Sequence, residues 1–271
     1  MNTLFSEYPP AEKLRLFIQS YWTGDFNINR EASFSQSVVP NGCVELIIHL
    51  SDFHCSLNKR VWCKSPDFTL LGVFTKPYEV KFSENVQVFG IRFYPDGIQN
   101  VFGVPPSVFF ATYEDSVDVL GKSVQRFCTR IRELQSVNAQ LQFANEFLTD
   151  QLGRHFLAHD YTHQAMSLIR KVAGEPDYQL LKYQIPISDR QLQREFKNRY
   201  GITISDYMRL SRMNAIQKYM DSSGSANLTQ LSYDLNFFDQ SHFIREFKTY
   251  VGITPGKFSR IRDRFIVNPA H

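Results

Sequence analysis

Two stretches of this chain place the same basic residues on the same short framework. Residues 194–203 are REFKNRYGIT and residues 245–254 are REFKTYVGIT. The Arg at the first position suits a bidentate contact with guanine, and the Lys at the fourth position suits a contact with a phosphate. The two copies therefore predict two matched surfaces that contact nucleic acid.

The first copy lies in a segment with the layout of a helix-turn-helix. A short helix near residues 178–184 leads to a turn, and Ser188 then forms a capping box with Gln191, which is the third residue of the next helix. That helix runs to Tyr200 and ends at Gly201. The second helix of such a unit can enter the major groove of DNA.

The second copy repeats this layout. The segment LTQLSYDL, residues 228–235, predicts the short helix, and Asn236 lies in the turn. Asp239 caps the next helix, which Gly252 ends. Thr254 and Pro255 then supply a cap and a proline at the first position of a final helix.

Helical periodicity gives each second helix a core face and a polar face. Aromatic and aliphatic side chains recur at core spacing, with Phe196 and Phe247 at equivalent places. We expect the polar face to bind DNA. Its candidate residues are Arg190, Gln191, Gln193, Arg194 and Lys197 in the first copy, and Asp239, Gln240, Ser241, His242, Arg245 and Lys248 in the second.

A long helix connects the two units. Thr203 and Asp206 form a second capping box, and the helix that follows covers residues 204–220. Its seventeen residues span roughly 25 Å at ~1.5 Å per residue. That length is of the order of the roughly 34 Å that separates successive major-groove segments on one face of DNA.

Charge is distributed unevenly along the 271 residues. Residues 1–153 contain 13 Lys and Arg against 16 Asp and Glu, whereas residues 154–271 contain 17 against 11. A basic C-terminal half joined to a mildly acidic N-terminal half indicates that the C-terminal half meets the polyanion.

The composition, with 43% hydrophobic and 21% charged residues, is typical of a soluble globular protein. The start has no basic leader and the chain has no apolar run of about 18 residues, so we expect a cytoplasmic protein without a membrane span. The cysteines Cys43, Cys55, Cys63 and Cys128 contain no C-x-x-C pair. That pattern favours reduced thiols over disulfides or a zinc site.

The N-terminal half is strand-rich from about residue 15 to 110. Short apolar runs, VELIIHL, FTLLGVF, YEVKF and VQVFGIRFYP, alternate with turn signals. They predict a β-barrel or sandwich. Two helices follow over residues 115–153, with an apolar stripe of Val124, Phe127, Ile131, Leu134, Leu141, Ala144 and Leu148. This stripe either packs on the barrel or pairs two chains.

An effector pocket is the candidate site of the N-terminal half. Strand alternation places Glu45 and His49 on one face, and we expect Arg92 and Tyr94 to join them. No third His or Cys lies at ligand spacing, so we predict neither a metal nor a cofactor. Cys43 supplies an alternative, a reactive thiol, although free cysteines are most often small buried hydrophobes.

The C-terminal hundred or so residues resemble the AraC/XylS family of bacterial transcription regulators. LTQLSYDLNFFDQSHFIREFKTYVGITPGKF is similar to the family's signature G-F-x-x-x-S-x-F-x-R-x-F-K followed by G-x-x-P, and RLSRMNAI is similar to a segment of its connecting helix. The N-terminal segments PNGCVELIIHL and FGIRFYPDGIQNVFG resemble cupin-like regulatory domains attached to such DNA-binding domains.

The chain departs from the family pattern at four positions. Asn236 replaces the turn glycine, and Phe238 stands where a small polar residue is common. In the first copy Lys182 replaces an alanine and Pro186 occupies the turn. Because proline has a fixed negative φ, we expect the first turn to be shaped differently and the first copy to contribute less to binding.

The resemblance implies an α+β, two-domain fold. Residues 1–114 are expected to form a cupin-like β-barrel with a sensing role, 115–155 linking or dimerisation helices, and 156–264 an all-α domain of two helix-turn-helix units joined by a long helix. The expected partners are double-stranded DNA, RNA polymerase, a small-molecule effector and a second copy of the chain, with no membrane.

The expected function is sequence-specific transcription regulation without enzymatic activity, in which an effector at the first domain alters DNA binding. Two alternatives stay open. One is a DNA-binding domain fused to a repair-type domain that uses Cys43 as a reactive cysteine, and the other is a ligand-independent DNA binder.

Overall fold

The computed structural model describes residues 2–27, 35–52, 54–58, 61–82, 85–155, 160–172, 178–222, 237, 239–261 and 265–266. The chain divides into two compact units. The first unit comprises Met1–Ser35, Cys43–Val73 and Glu79–Ala158, and the second comprises Gln36–Gly42, Phe74–Tyr78 and His159–His271. Two short segments of the N-terminal half therefore belong to the unit that carries the repeated motif.

Six strands of the first unit form one sheet. They are β1 Asn2–Tyr8, β2 Ile18–Asn27, β4 Val44–His49, β7 Phe68–Leu71, β9 Asn85–Phe93 and β10 Tyr113–Asp115. Their order is β1-β2-β9-β4-β7-β10, and every neighbouring pair is antiparallel. All six residues of β4 are buried, since this β-branched and aliphatic strand lies between β9 and β7 in the middle of the sheet.

The other described strands have two to five residues each. They are β3 Ser35–Val38, β5 His54–Asn58, β6 Val61–Lys64, β8 Tyr78–Phe82 and β11 Phe265–Ile266. In the first unit, β5 pairs antiparallel with β6 and with β8. In the second unit, β11 pairs parallel with β3 and lies just beyond residues 156–264, the range that was predicted to be helical.

The prediction of a closed barrel is wrong, because the six-stranded sheet is open. Among the described residues β1 pairs only with β2, and β10 pairs only with β7, whereas closure requires the two outer strands to pair. The four apolar runs were predicted correctly as strands and correspond to β4, β7, β8 and β9. Short strands separated by turns are typical of barrels and of open sheets alike, so the strand pattern did not distinguish them.

Four α-helices lie in the described part of the first unit. They are α1 Pro95–Phe102, α2 Ser116–Leu120, α3 Lys122–Glu133 and α4 Val137–His155. The apolar stripe of α3 and α4 packs inside this unit: Val124, Ala144 and Leu148 are fully buried. Phe127 stacks on Phe147 with ring centroids 4.3 Å apart.

The second unit is mainly helical. The helices in its described residues are α5 Tyr161–Lys171, α6 Tyr178–Gln184, α7 Asp189–Tyr200, α8 Ile204–Ser222, α9 Gln240–Val251 and α10 Pro255–Arg260. Gly201 and Gly252 end α7 and α9 with φ of 74° and 88°, the left-handed conformation that glycine adopts at least cost. No helix among the described residues has the length and apolar character needed to cross a membrane.

The predicted caps are largely confirmed. Ser188 Oγ accepts from the Gln191 N–H at 3.3 Å, and the Asp206 N–H donates to Thr203 Oγ1 at 3.1 Å. Asp239 Oδ1 accepts from the His242 N–H at 2.7 Å. Thr254 differs, since its side chain makes no capping hydrogen bond.

Several sequence predictions lie outside the described residues. They concern the short helix at residues 228–235, the turn residue Asn236, and Phe238.

Asp160 ties the start of α5 to the end of α7. Its Oδ1 accepts from the N–H groups of Thr162 and His163, both at 3.0 Å, and Arg199 of α7 forms an ion pair with it. Burial alone would raise the pKa of the Asp160 carboxyl, but hydrogen bonds from His163 and Thr162 and the charge of Arg199 lower it below its ordinary value.

We expect Asp160→Ala to lower the stability of α5 and α7 by about 1 kcal/mol at neutral pH, the usual cost of removing an N-cap. Because the folded-state pKa is depressed, the carboxylate's contribution is present above the unfolded-state pKa of about 3.9 and is lost as pH falls through the lower folded-state value. Amide hydrogen exchange in the intact chain measures both effects. Asp160→Asn, which keeps a cap and loses the charge, is the control, and a loss for Asp160→Ala that does not change with pH would contradict this assignment.

Candidate nucleic-acid interface

Helices α7 and α9 each present an exposed polar row opposite a buried apolar row. The buried residues are Leu192, Phe196 and Tyr200 on α7 and Phe243, Phe247 and Val251 on α9. The exposed residues at equivalent positions are Arg190, Arg194 and Lys197 on α7 and Ser241, Arg245 and Lys248 on α9. The core faces are as predicted, and the exposed rows have the donors that DNA bases and phosphates accept from.

Gln191 on α7 and His242 on α9 follow the first residue of each exposed row, and each lies close to a glutamate one turn further along its helix. Gln191 Nε2 donates to Glu195 Oε1 at 2.8 Å, one turn along α7. At the equivalent places on α9, His242 Nε2 lies 3.7 Å from Glu246 Oε1. The His242 ring also packs edge-on against Phe237, at 5.5 Å between centroids. Gln191 and His242 therefore flank the exposed rows rather than extend them.

Two further predicted contact residues have partners within the protein. Gln193 Nε2 donates to the hydroxyl of Tyr178 at 2.8 Å, which connects α7 to α6. Asp239 is occupied as the N-cap of α9. Gln240, next to it, is exposed. The DNA contacts of all eleven predicted residues stay predictions. The residues of the two exposed rows fit such contacts best, because they lie on the solvent-facing sides of their helices.

The connecting helix α8 contributes residues that were not predicted. Arg209 Nε lies 3.6 Å and Arg212 Nη1 lies 3.9 Å from the carboxylate of Glu246 on α9. Arg209 also donates to Asp206 at 3.0 Å, and the Arg212 guanidinium lies 5.2 Å from the centre of the Phe237 ring. The two arginines were visible in RLSRMNAI, but only packing shows that they meet α9.

The predicted effector residues of the first unit separate into two groups. Arg92 Nε donates to Glu45 Oε1 at 3.0 Å, and Arg92 also pairs with Glu7 and lies 3.4 Å from Ser20 Oγ. The Arg92 side chain is 1% exposed. Burial alone would lower the pKa of its guanidinium, but Glu45 and Glu7 raise it above the ordinary value. These groups form a closed ion cluster.

His49 instead pairs with a histidine that was not predicted. Its Nε2 lies 2.7 Å from Nδ1 of His54, and its Nδ1 lies 3.2 Å from the carbonyl oxygen of Asp67. Because a carbonyl only accepts, Nδ1 of His49 carries the proton and His54 donates to Nε2. Burial lowers the pKa of His49 and lowers that of His54 to about 3, so the pair is neutral.

Two other predicted residues have ordinary surroundings. Tyr94 is half-buried and precedes α1 as its N-cap residue. Cys43 is 6% exposed, and its Sγ lies 3.0 Å from Oε1 of Gln19. Among the described residues no three His, Cys, Asp or Glu side chains gather into a metal-binding group.

Two parts of the chain match families of domains. Residues 184–261 match the family described as a helix-turn-helix domain. Residues 6–115 match a family described as a domain of unknown function (DUF6597). No curated protein matches the chain by sequence.

Solved structures of ToxT share the fold. A structure of ToxT from Vibrio cholerae is 14% identical, with 88% of this chain and 97% of that chain covered and a TM-score of 0.51. ToxT with bound unsaturated fatty acid is 11% identical, with 88% and 94% covered and a TM-score of 0.50. The AraC-like transcriptional activator CuxR is 10% identical, with 81% and 87% covered and a TM-score of 0.30.

The sequence match covers α7, α8, α9 and α10, the helices whose caps and exposed rows are described above. The match and the geometry agree on the same elements. The C-terminal part of the chain, residues 184–261, is therefore a helix-turn-helix domain of the AraC type.

Proposed function

We propose that the protein is a sequence-specific DNA-binding regulator of transcription. The observation that carries this proposal is the pair of matched exposed rows on α7 and α9. Each row is held on a capped helix whose other face is buried. Matched rows suit successive major-groove segments of one duplex.

The connecting helix α8 supports binding by a single chain. It has nineteen residues, which span roughly 28 Å at ~1.5 Å per residue. Successive major-groove segments on one face of DNA lie about 34 Å apart. One chain therefore has two binding helices for one site, and a homodimer and a contact with RNA polymerase stay predictions.

We expect selection from random DNA to enrich one bipartite site. Because α7 and α9 carry different residues at equivalent positions, Arg190 against Ser241, the two half-sites should differ in sequence and lie about one helical turn, roughly 10 base pairs, apart. High-throughput sequencing of the DNA retained by the full chain measures both. Recovery of no shared sequence, together with equal affinity for all duplexes, would contradict sequence-specific binding.

The first unit is proposed to bind a small-molecule effector that alters DNA affinity. Support comes from ToxT, a protein of the same fold whose structure contains an unsaturated fatty acid. Reciprocal coupling then requires that the effector and the DNA site change each other's affinity by one factor. In this proposal, the buried ion cluster of Arg92 and the neutral His49–His54 pair support the unit internally.

A further inference from the structure

A cavity in the second unit lies next to α9, one of the two helices that are proposed to bind DNA. It has a volume of about 180 Å³ and is lined by Tyr178, Ser205, Met208, Arg209, Arg212 and Glu246. Glu246 is the neighbour of Arg245 on α9. Tyr178 accepts a hydrogen bond from Gln193, the neighbour of Arg194 on α7. The cavity therefore lies along the first turns of α8, next to the middle of α9, and one of its lining residues is hydrogen-bonded to the middle of α7.

Basic side chains near this cavity are grouped around one carboxylate, and their hydrogen-bonding capacity is not fully satisfied within the described residues. Arg209 Nε, Arg212 Nη1 and His242 Nε2 surround the carboxylate of Glu246 at 3.6, 3.9 and 3.7 Å. All three distances exceed that of a hydrogen bond. Within the described residues, Arg212 Nε is buried without a hydrogen-bond partner, and so is Glu246 Oε2. The side chains of Arg209 and Arg212 are 40% and 23% exposed, so the accessible N–H groups of the two guanidinium groups have capacity to bind another acceptor at the cavity.

A DNA duplex bound by both helices would present its phosphate backbone to this cavity. When α7 and α9 occupy successive major-groove segments, the minor groove and its two phosphate backbones pass between them. Two guanidinium groups, with the hydroxyls of Tyr178 and Ser205, match the oxygens of a phosphodiester in charge and hydrogen-bonding capacity. Ser205 is exposed and Arg209 is 40% exposed, so the cavity is open to solvent.

We propose that this cavity is a third DNA contact, which binds the phosphate backbone between the two major-groove segments through Arg209 and Arg212. This inference rests on the proposed function and adds a site to it. Glu246 holds the two guanidinium groups in place in the free protein, and its negative charge weakens their electrostatic attraction to the phosphate. The contact carries no base information, so it contributes equally to every sequence.

The test is the salt dependence of DNA affinity in the full chain. Arg212→Ala should weaken binding of the selected site and of a scrambled duplex alike, by about fivefold near 150 mM salt, and should reduce the slope of log K against log salt by about 0.9. Arg212→Lys, which keeps the charge, should keep the slope. Arg130→Ala removes an exposed arginine from α3 of the first unit and should change neither quantity. Fluorescence anisotropy between about 50 and 200 mM salt measures both.

The second variant distinguishes a DNA contact from a structural role. Glu246→Gln keeps the shape and removes the negative charge, so affinity for both duplexes should rise by about threefold. If Glu246 and Arg212 only hold α9 against α8, both variants lower affinity and leave the slope unchanged, which would overturn the proposal. If the wild-type chain shows no salt-dependent DNA binding, the proposed function itself fails, and the two failures are thereby distinguished.

Discussion

Arg245→Ala is expected to weaken binding of the selected site by roughly 1–3 kcal/mol and to relax the preference at one base position. Arg245 lies in the middle of the exposed row of α9, and its neighbours Phe243 and Phe247 are fully buried, so the helix holds it in place. A planar guanidinium in the major groove donates two hydrogen bonds to one guanine. Measured affinities for the selected site and for each single-base variant give both effects.

Two matched variants sharpen this expectation. Arg245→Lys keeps the charge and loses the bidentate geometry, so it should lose specificity while keeping the salt slope. Lys248→Ala, one turn along the same row, should weaken binding to all sequences and reduce the slope by about 0.9. If Arg245→Ala and Lys248→Ala weaken every sequence equally, Arg245 does not contact a base. An unchanged unfolding temperature of the variants would show that the substitutions alter the exposed surface and not the stability of the fold.

The equivalent change on the first helix should cost less. Pro186 lies in the segment that joins α6 to α7, and its φ is restricted, so we expect this unit to dock differently from the second. Arg194→Ala is therefore expected to lose less affinity than Arg245→Ala for the same DNA. A larger loss for Arg194→Ala would reverse this ranking of the two units.

Arg92→Ala is expected to lower the free energy of unfolding of the first unit by about 3–5 kcal/mol. The arginine is 1% exposed and pairs with Glu7 and Glu45, whose side chains are 2% and 6% exposed. Its removal leaves two buried carboxylates without a cation between them. Urea unfolding monitored by tryptophan fluorescence measures the loss, because both tryptophans, Trp22 and Trp62, lie in the first unit.

A comparison with an exposed ion pair separates this mechanism from the loss of any paired arginine. Arg130→Ala breaks an ion pair with Glu133 whose two side chains are 55% and 57% exposed, so it should cost under about 1 kcal/mol. An equally small loss of unfolding free energy for Arg92→Ala would contradict the role of Arg92 as the cation of a buried cluster.

Much of the second unit was predictable, because its signals are local. Ser188, Asp239, Gly201 and Gly252 act on backbone groups within a few residues of themselves, so their types and spacing predict where α7 and α9 begin and end. The same holds for the core faces, since helical periodicity alone places Phe196 and Phe247 inside.

One local signal was missed. Helix α1 lies in a region that we interpreted as strands, yet Pro95 stands at its first position and Gly103 ends it with φ of 75°. This pairing of proline at the start with glycine at the end is the ordinary mark of a short helix. The preceding strand, β9, is apolar and ends only two residues before Pro95, so the change from the strand to the helical spacing of apolar residues was not recognised.

The sequence by itself determined the two capped helices, their buried faces and the basic rows that make a DNA contact the best proposal. Only the tertiary structure decided that the sheet is open, that Glu7 and Glu45 share Arg92 across 85 and 47 positions, and that Arg209 and Arg212 meet Glu246. The physical reason is one of range. Caps and helical faces depend on hydrogen bonds and periodicity within about one or two turns, whereas strand edges and buried ion pairs depend on which distant segments pack together.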